Sequence, residues 1–471
     1  MYPISLKSWL SCSAVTIRPL YLVGGTVRDL LLGDQPKDLD LVCRNAKDFA
    51  HLLGECKNAA VVPMEKKPAE PCYRVVDREH PDNFLDIAEM RGPTIYDDLG
   101  RRDFTINAMA AEVRNDRTVG PICDPFDGAG DLERKTIKMT GKDSFVSDPL
   151  RILRAFRFSA TLGFTIEPRA MEEMKRCAAL LQTVSGERIM AELLLILKTP
   201  HSASFIREMD RCGVLEVLFP EIIFMKGCEQ NGFHHQDVWE HSLLVTENGE
   251  RILNNLTSYF GDWAEAVLNN LAENNRLPLL KLAALVHDIG KPLTRGTHTK
   301  TGRITFYGHD EEGARLVDAI AERMKLSGKD RDYLALLVAE HLHVLSLAGN
   351  TVRAATRMRW FRKMKDNAIP AIMLGIADVE SSLGSESTGK WRNHYLEWSK
   401  DTVRDYYETI RTRLESKNLI TGTDLISLGV EPGPEMGRVL AILRNAQDTG
   451  EISTSEDALA LAKGLLPKRT A

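Results

Sequence analysis

The sequence predicts an α+β fold: a mixed sheet with helices over residues 1–142, then a chain that is helical almost throughout. Three observations carry this. At 471 residues the chain exceeds what one hydrophobic core organises, so two to four domains are expected. Short β-like runs alternate with polar turns in the first part: "PLYLVGG", "DLDLVCR", "AAVVPM", "CYRVVD" and "NFLDIAEM". Near Lys142 the apolar period changes to three- and four-residue spacing.

Between the β-like runs, "TVRDLLLG" and "AKDFAHLLGEC" read as helices. The apolar run that follows Arg101, Arg102 and Asp103 in "RRDFTINAMA" also reads as a helix. Further on, "DPLRILRAFRFSATLGF" and "ERIMAELLLILKTP" are amphipathic and stop at Gly or Pro. The polar stretch "GCEQNGFHHQD" precedes a new helical block, and "GSESTGKW" is small and polar like a linker. The expected divisions are 1–142, 143–229, 230–385 and 386–471.

Composition narrows the partners. No apolar run approaches the roughly 20 residues that cross a bilayer, so no membrane partner is expected. Eight cysteines are scattered without a CxxC pair, which suits reduced thiols in a cytoplasm. A net charge of −5 excludes a surface that is basic all over, so any nucleic-acid contact must come from local patches.

The stretch "VGGTVRDLLLGDQPKDLDLV" concentrates chemistry. Gly24 and Gly25 after an apolar strand let the backbone approach a phosphate, with amide donors near the following helix start. Asp38 and Asp40 alternate with leucines, so on a strand both carboxylates share a face. Side by side they repel unless a cation lies between them, and Mg²⁺ fits, because it takes one or two carboxylates plus phosphate oxygens. Asp86, on its own β-like run, is a third carboxylate for a two-metal phosphoryl-transfer site. Arg101, Arg102 and Asp103 add guanidinium donors for triphosphate oxygens or ribose hydroxyls. Arg151, Arg154 and Arg157 follow Asp148 at three-residue spacing; taken alone that stripe reads as a solvated helix surface, but after the preceding motifs these residues are expected to bind the nucleotide.

Together, "YLVGGTVRDLLLGDQPKDLDLV", "RRDFTINAMA", "CDPFDGAGDLERKTIKMTG", "DPLRILRAFRFSATLGF" and "ERIMAEL" resemble successive motifs of a known family. It is that of the bacterial (class II) tRNA nucleotidyltransferases and their poly(A) polymerase relatives, within the DNA polymerase β superfamily. The resemblance covers about residues 19–200. It implies a polymerase-β-like palm with Asp38 and Asp40 as metal ligands, and Gly24, Gly25 and Arg28 near the triphosphate. It implies Arg102, Asp103 and Asn107 at triphosphate and ribose, and an all-α neck, HD and tail after the palm. In the family a Glu-Asp-x-x-Arg element reads the incoming base without a nucleic-acid template. Here Asp148 and Arg151 match it, and Ser147 stands where Glu is expected. The implied partners are the tRNA 3′ acceptor end, CTP and ATP. Only "GPTIYDDLG" lies between Arg91 and Arg101, a shortness similar to relatives that add only the two cytidines. Addition of CCA, or of CC alone, is therefore expected, with poly(A) polymerase as the alternative.

Downstream, "HHQDVWEHSLLV", "LVHDIGKP", "YGHDEEGAR", "AEHLHV" and "GIADVE" gather histidines and acids on helix-like segments. His287 and Asp288 pair an imidazole with a carboxylate, and His241 and Asp378 can close a site for a divalent transition metal. His309, His341 and His343 are candidates for a second ion or a phosphate. The block resembles the HD phosphohydrolase domain, which implies phosphoester hydrolysis by a metal-activated water. A chain that is chiefly such a hydrolase is the rival reading.

Overall fold

The computed structural model describes residues 9–11, 19–36, 38–64, 71–114, 116, 118–349 and 351–466. The chain divides into two compact units, one of Met1–Glu192 with Met209–Leu218, the other of Leu193–Glu208 with Phe219–Ala471.

The first unit holds a seven-stranded mixed sheet. Its strands are β1 (Leu20–Val23), β2 (Leu39–Cys43), β3 (Ala60–Met64), β4 (Cys72–Val76), β5 (Phe84–Glu89), β6 (Ala110–Val113) and β7 (Val119–Cys123). Their order is β3-β4-β5-β2-β1-β6-β7. Only β2 and β5 run parallel, joined by a crossover through the helix Ala46–Lys57, and this register sets Asp40 opposite Asp86. Leu39 and Leu41 are buried on β2 while Asp40 is half-buried, the alternation the sequence predicts. The helix Gly25–Leu32 starts at the glycine pair and ends at Gly33, which caps it at φ +85°.

One element differs from expectation. The run after "RRD" forms a single 3₁₀ turn, Thr105–Asn107, and then β6 rather than a helix. β6 lies inside the sheet between β1 and β7, where Ala110, Ala111 and Val113 are buried. Strand pairing on both sides overrides alanine's helical preference there.

The helix Arg151–Leu162 buries Ile152, Leu153, Ala155, Phe156 and Phe158, and Gly163 ends it in the left-handed conformation.

The second unit is helical apart from a two-stranded ribbon, Gly296–Thr297 with Ile304–Thr305. Two helices, Arg276–Val286 and Ala368–Ser381, are apolar nearly all round and form its centre. A charge inside such a helix needs a partner. Lys281 finds Glu250 Oε2 and Ser202 Oγ, each at 2.9 Å, and the Thr199 carbonyl at 2.7 Å. The stretch around Gly384, read as a linker, is pinned instead. Gly384 and Glu386 donate backbone bonds of 2.8 Å to Phe233 and Gly232. Past it, Thr388 caps the helix Gly389–Asp405. A separate small core around Leu425, Val439, Leu443 and Ala458 organises the end of the chain. Among the described residues no helix is long and apolar enough to cross a membrane.

Of the cysteines, 43, 72, 123, 177, 212 and 228 are free thiols. Cys56 is disulfide-bonded, so the expectation of thiols throughout fails there. Cys12 lies outside the described residues.

Candidate active site and metal centre

In the first unit the site starts from the glycine pair. Gly24 sits at φ +64°, and a Cβ there would stand 2.8 Å from Arg102 Nη1. A Cβ on Gly25 would stand 3.7 Å from Asp40 Oδ2 and 3.5 Å from Arg28 Nη2. The left-handed φ of Gly24 favours glycine there, and a carboxylate and two guanidiniums stand close to this turn. Thr26 ties the turn to the aspartates: its hydroxyl donates to the Asp38 carbonyl at 3.1 Å and accepts from the Asp40 amide at 2.8 Å. Asp38 is exposed just before β2.

Asp86 stands in register beside Asp40 but gives both oxygens to Arg74, at 2.8 and 2.9 Å. This hydrogen-bonded pairing raises the Arg74 pKa, and the charge of Asp38 adds to the effect against burial. The expected three-carboxylate cluster is thus not assembled. Among the described residues, the groups of three ligand side chains close enough to share one ion both lie in the second unit. A planar guanidinium matches a carboxylate in a two-pronged fork and occupies it when nothing stronger competes. Arg74 was missing from the sequence reading, although its place two residues after Cys72 on an alternating run puts it on one face.

A polar chain links the remaining residues. Arg28 Nη1 donates to Asn107 Oδ1 at 2.8 Å, and Asn107 Nδ2 donates to Asp103 Oδ1 at 3.1 Å. Arg154 donates to Asp103 Oδ2 from Nε at 2.8 Å and Nη2 at 2.6 Å. Burial works to raise the Asp103 pKa, yet Arg154 and the surrounding donors bring it down to about 2. Arg157 pairs with Glu192 at 2.6 Å, and Arg102 with the buried Asp98 at 3.0 Å. Arg154 and Arg157 of the stripe therefore face acids on neighbouring elements rather than solvent. The four-residue spacing of Asp98 and Arg102 was a local signal for their ion pair.

Ser147, Asp148 and Arg151 line a cavity of about 720 Å³, together with Arg91, Arg101 and Lys142. That volume suits a nucleotide-sized ligand.

In the second unit, Asp288 lies at the centre of the histidine cluster. His287 Nε2 is 3.2 Å from Asp288 Oδ2, His309 Nε2 is 3.2 Å from Oδ1, and His341 Nε2 is 3.6 Å from Oδ1. His241 Nε2 is 3.1 Å from Asp378 and 3.7 Å from Asp288. The Nδ1 atoms of His287, His309 and His341 meet the carbonyls of Ala284, Phe306 and Val338, at 2.9, 2.7 and 2.5 Å. These contacts assign the proton to Nδ1 and leave the Nε2 lone pairs aimed inward. Burial lowers the pKa of His241 and His341, which favours neutral, ligating imidazoles. His287 Nε2 is buried and lies 3.2 Å from Asp288 Oδ2, poorly aligned for a hydrogen bond and placed to share an ion with it.

His241, His287 and Asp288 form one set of ligands within reach of an ion, and Asp288, His309 and His341 form another. His343 does not join: it is 47% exposed and 3.1 Å from Glu340. Two residues along a helix turn a side chain by about 200°, away from the face His341 uses. Lys291 was also missed. Its ammonium lies 2.6 Å from Asp288 Oδ2, and the buried residue lines a cavity of about 910 Å³ that also takes in His234, Phe233, Tyr307 and Trp391.

Three family models match this chain in succession. They are the Poly A polymerase head domain over residues 20–138, the "Probable RNA and SrmB- binding site of polymerase A" over 163–225, and the HD domain over 238–383. An A-adding tRNA nucleotidyltransferase of Deinococcus radiodurans is 32% identical over 453 residues, covering 94% of each chain. A CC-adding tRNA nucleotidyltransferase of Thermus thermophilus is 30% identical, covering 94% of this chain and 93% of that one. Among solved structures, the Thermotoga maritima CCA-adding enzyme complexed with tRNA is similar at a TM-score of 0.62 and 23% identity. It covers 98% of this chain and 93% of its own, a likeness of fold. Nucleotidyltransferases and HD proteins generally use divalent metals. With the fold, the glycine turn beside Asp40 and the relatedness along nearly the whole length in agreement, the chain belongs to the bacterial-type tRNA nucleotidyltransferases that carry an HD domain.

Proposed function

We propose that this enzyme extends the 3′ end of tRNA from CTP and ATP without a nucleic-acid template, adding CCA or its two cytidines alone. The observation that carries the reading is the closing of Asp40, Arg28 and Arg102 on the Gly24–Gly25 turn. Asp38 and Asp40 offer an oxygen-only donor set that suits Mg²⁺. When bound, that ion supplies Lewis-acid activation of the attacking hydroxyl and of the departing pyrophosphate. Arg28 and Arg102 hold the triphosphate so that the tRNA 3′ oxygen bonds to the α-phosphorus as the bond to pyrophosphate breaks. Asp103 and Asn107 orient the ribose, and Arg154 and Arg157 keep the nucleotide side of the helix fixed. Asp148 presents an acceptor and Arg151 donors to the base. Residues 143–229 select the nucleotide and 386–471 contact the tRNA. The helix Ile95–Gly100, closed by the Thr94–Asp97 capping box, fills the short segment before Arg101 and supports addition of cytidines alone.

The test uses tRNA lacking the whole CCA, tRNA lacking only the final A, and complete tRNA, each with labelled CTP or ATP. Extension of the first by two residues with CTP supports cytidine addition. Further extension with ATP marks CCA addition, and long adenosine ladders on complete tRNA would overturn the reading in favour of poly(A) synthesis.

A second activity follows from Asp288 standing between two histidine pairs. The mixed imidazole–carboxylate donor set suits divalent transition metals. It supports metal-dependent hydrolysis of a phosphoester at an RNA end or on a nucleotide. We place both activities in the cytoplasm, where tRNA and nucleoside triphosphates meet.

A further inference from the structure

The base-reading pair lacks the glutamate that the resemblance calls for, and its neighbours show what holds it instead. Arg151 donates from Nη1 to Ser144 Oγ at 2.9 Å and from Nη2 to the Arg101 carbonyl at 2.6 Å. A longer contact of 3.4 Å joins Nη1 to the Ser144 carbonyl. Ser144 is 4% exposed and passes its own hydroxyl hydrogen to the Asp103 carbonyl at 3.2 Å. One buried hydroxyl therefore couples the "RRD" turn to the Arg151 guanidinium. Asp148 is held from another side: Arg188 Nη2 lies 3.3 and 3.5 Å from its two oxygens. The Ser147 hydroxyl turns back to the Ser144 carbonyl at 2.9 Å.

We propose that Ser144 and Arg188 are the positioning residues for nucleotide choice, Ser144 aiming the donors of Arg151 and Arg188 aiming the acceptor of Asp148. The inference rests on the nucleotidyl-transfer reading above and adds the source of its specificity. A guanidinium has five N–H donors, and Ser144 and Arg101 engage at most three of them, leaving two for the base. Cytosine offers two adjacent acceptors, its O2 and N3, whereas the corresponding edge of adenine offers one, N1. Two fixed donors therefore favour cytosine, and a guanidinium free to rotate loses that preference. Asp148 accepts from the exocyclic amine that cytosine and adenine share and that uracil lacks. Holding Asp148 in place therefore excludes uracil without separating C from A.

The two roles predict different errors. On a truncated tRNA that the natural enzyme extends, kcat/KM is measured for CTP, ATP and UTP with single variants. Ser144→Ala is expected to lower the CTP-to-ATP ratio about tenfold, the effect of losing one hydrogen bond to a charged group. Ser144→Thr, which keeps the hydroxyl, restores the ratio. Arg188→Gln is expected to raise the UTP-to-CTP ratio by about the same factor and leave the CTP-to-ATP ratio within about twofold, with Arg188→Lys recovering part of it. If Ser144→Ala fails to fold, Ser144→Cys keeps the bulk with a weak acceptor and is expected to shift the same ratio. Unchanged ratios, or an equal loss with every nucleotide, overturn the proposal. Failure of the natural enzyme to incorporate any nucleotide refutes the transferase reading instead, so the two failures are distinct.

Discussion

In the palm, carboxylates meet arginines: Asp86 is forked by Arg74, Asp103 by Arg154, and Asp40 faces Arg28 and Arg102 across a glycine turn. In the HD region the central carboxylate meets imidazoles whose outer nitrogens contact backbone carbonyls. The palm pairs these charges internally, so any charged ligand at the glycine turn has to compete with the existing ion pairs. The HD cluster gathers imidazole nitrogens around one carboxylate that also pairs with the Lys291 ammonium. One protein thus holds a carboxylate–arginine site on a glycine turn and a carboxylate–imidazole site with two candidate ligand sets.

The comparison can be broken most severely by removing a carboxylate. Asp40→Ala is expected to lower nucleotide incorporation at least about a thousandfold. Filter binding should show tRNA affinity nearly unchanged and phosphoester hydrolysis intact, so loss of both activities together would deny that the sites are independent. In the mirror experiment, His287→Ala with Asp288→Ala should lower hydrolysis by about a hundredfold or more while incorporation stays within about twofold. Chelation sharpens the contrast: after dialysis against a chelator, Mg²⁺ alone should restore incorporation, and hydrolysis should wait for a transition metal. Recovery of both by Mg²⁺ would erase the distinction in donor type.

Smaller effects probe the charge balance itself. Arg154→Ala leaves the buried Asp103 without its main partner and should cost about 3 kcal/mol in denaturant unfolding. A change under about 0.5 kcal/mol would mean that Asn107 and the Phe104 amide suffice. Asp103 also predicts a pH dependence. Its folded pKa is about 2 against an ordinary 3.8, so its stabilisation is present above pH 3.8 and is lost as the pH falls toward 2. About 2 kcal/mol should disappear over that window, and Asp103→Asn should flatten it.

Local chemistry was legible in the sequence where it produced local structure. The five β-like runs became β1 to β5, and the glycine turn and the HD pair needed only their neighbours to be read. What escaped was decided by distant pairing. The alanines of β6 look helical until β1 and β7 flank them, and Arg74 is an ordinary strand residue until Asp86 arrives on the next strand. The acids that Arg154 and Arg157 meet, Asp103 and Glu192, belong to other elements, so these pairings were not legible from the stripe alone. His343 erred in the other direction: helical geometry was already in the sequence, and rotation by two residues would have removed it from the cluster.

The parallel pairing of β2 with β5 carries a consequence for synthesis. β3, β4 and β5 form a meander that can zip up locally, whereas Asp86 reaches Asp40 only when the crossover through Ala46–Lys57 closes. The register that sets Asp86 beside Asp40 therefore depends on a pairing between stretches far apart in the chain. On the ribosome the two strands stay apart until β5 has emerged, so a partial translation product lacks this register.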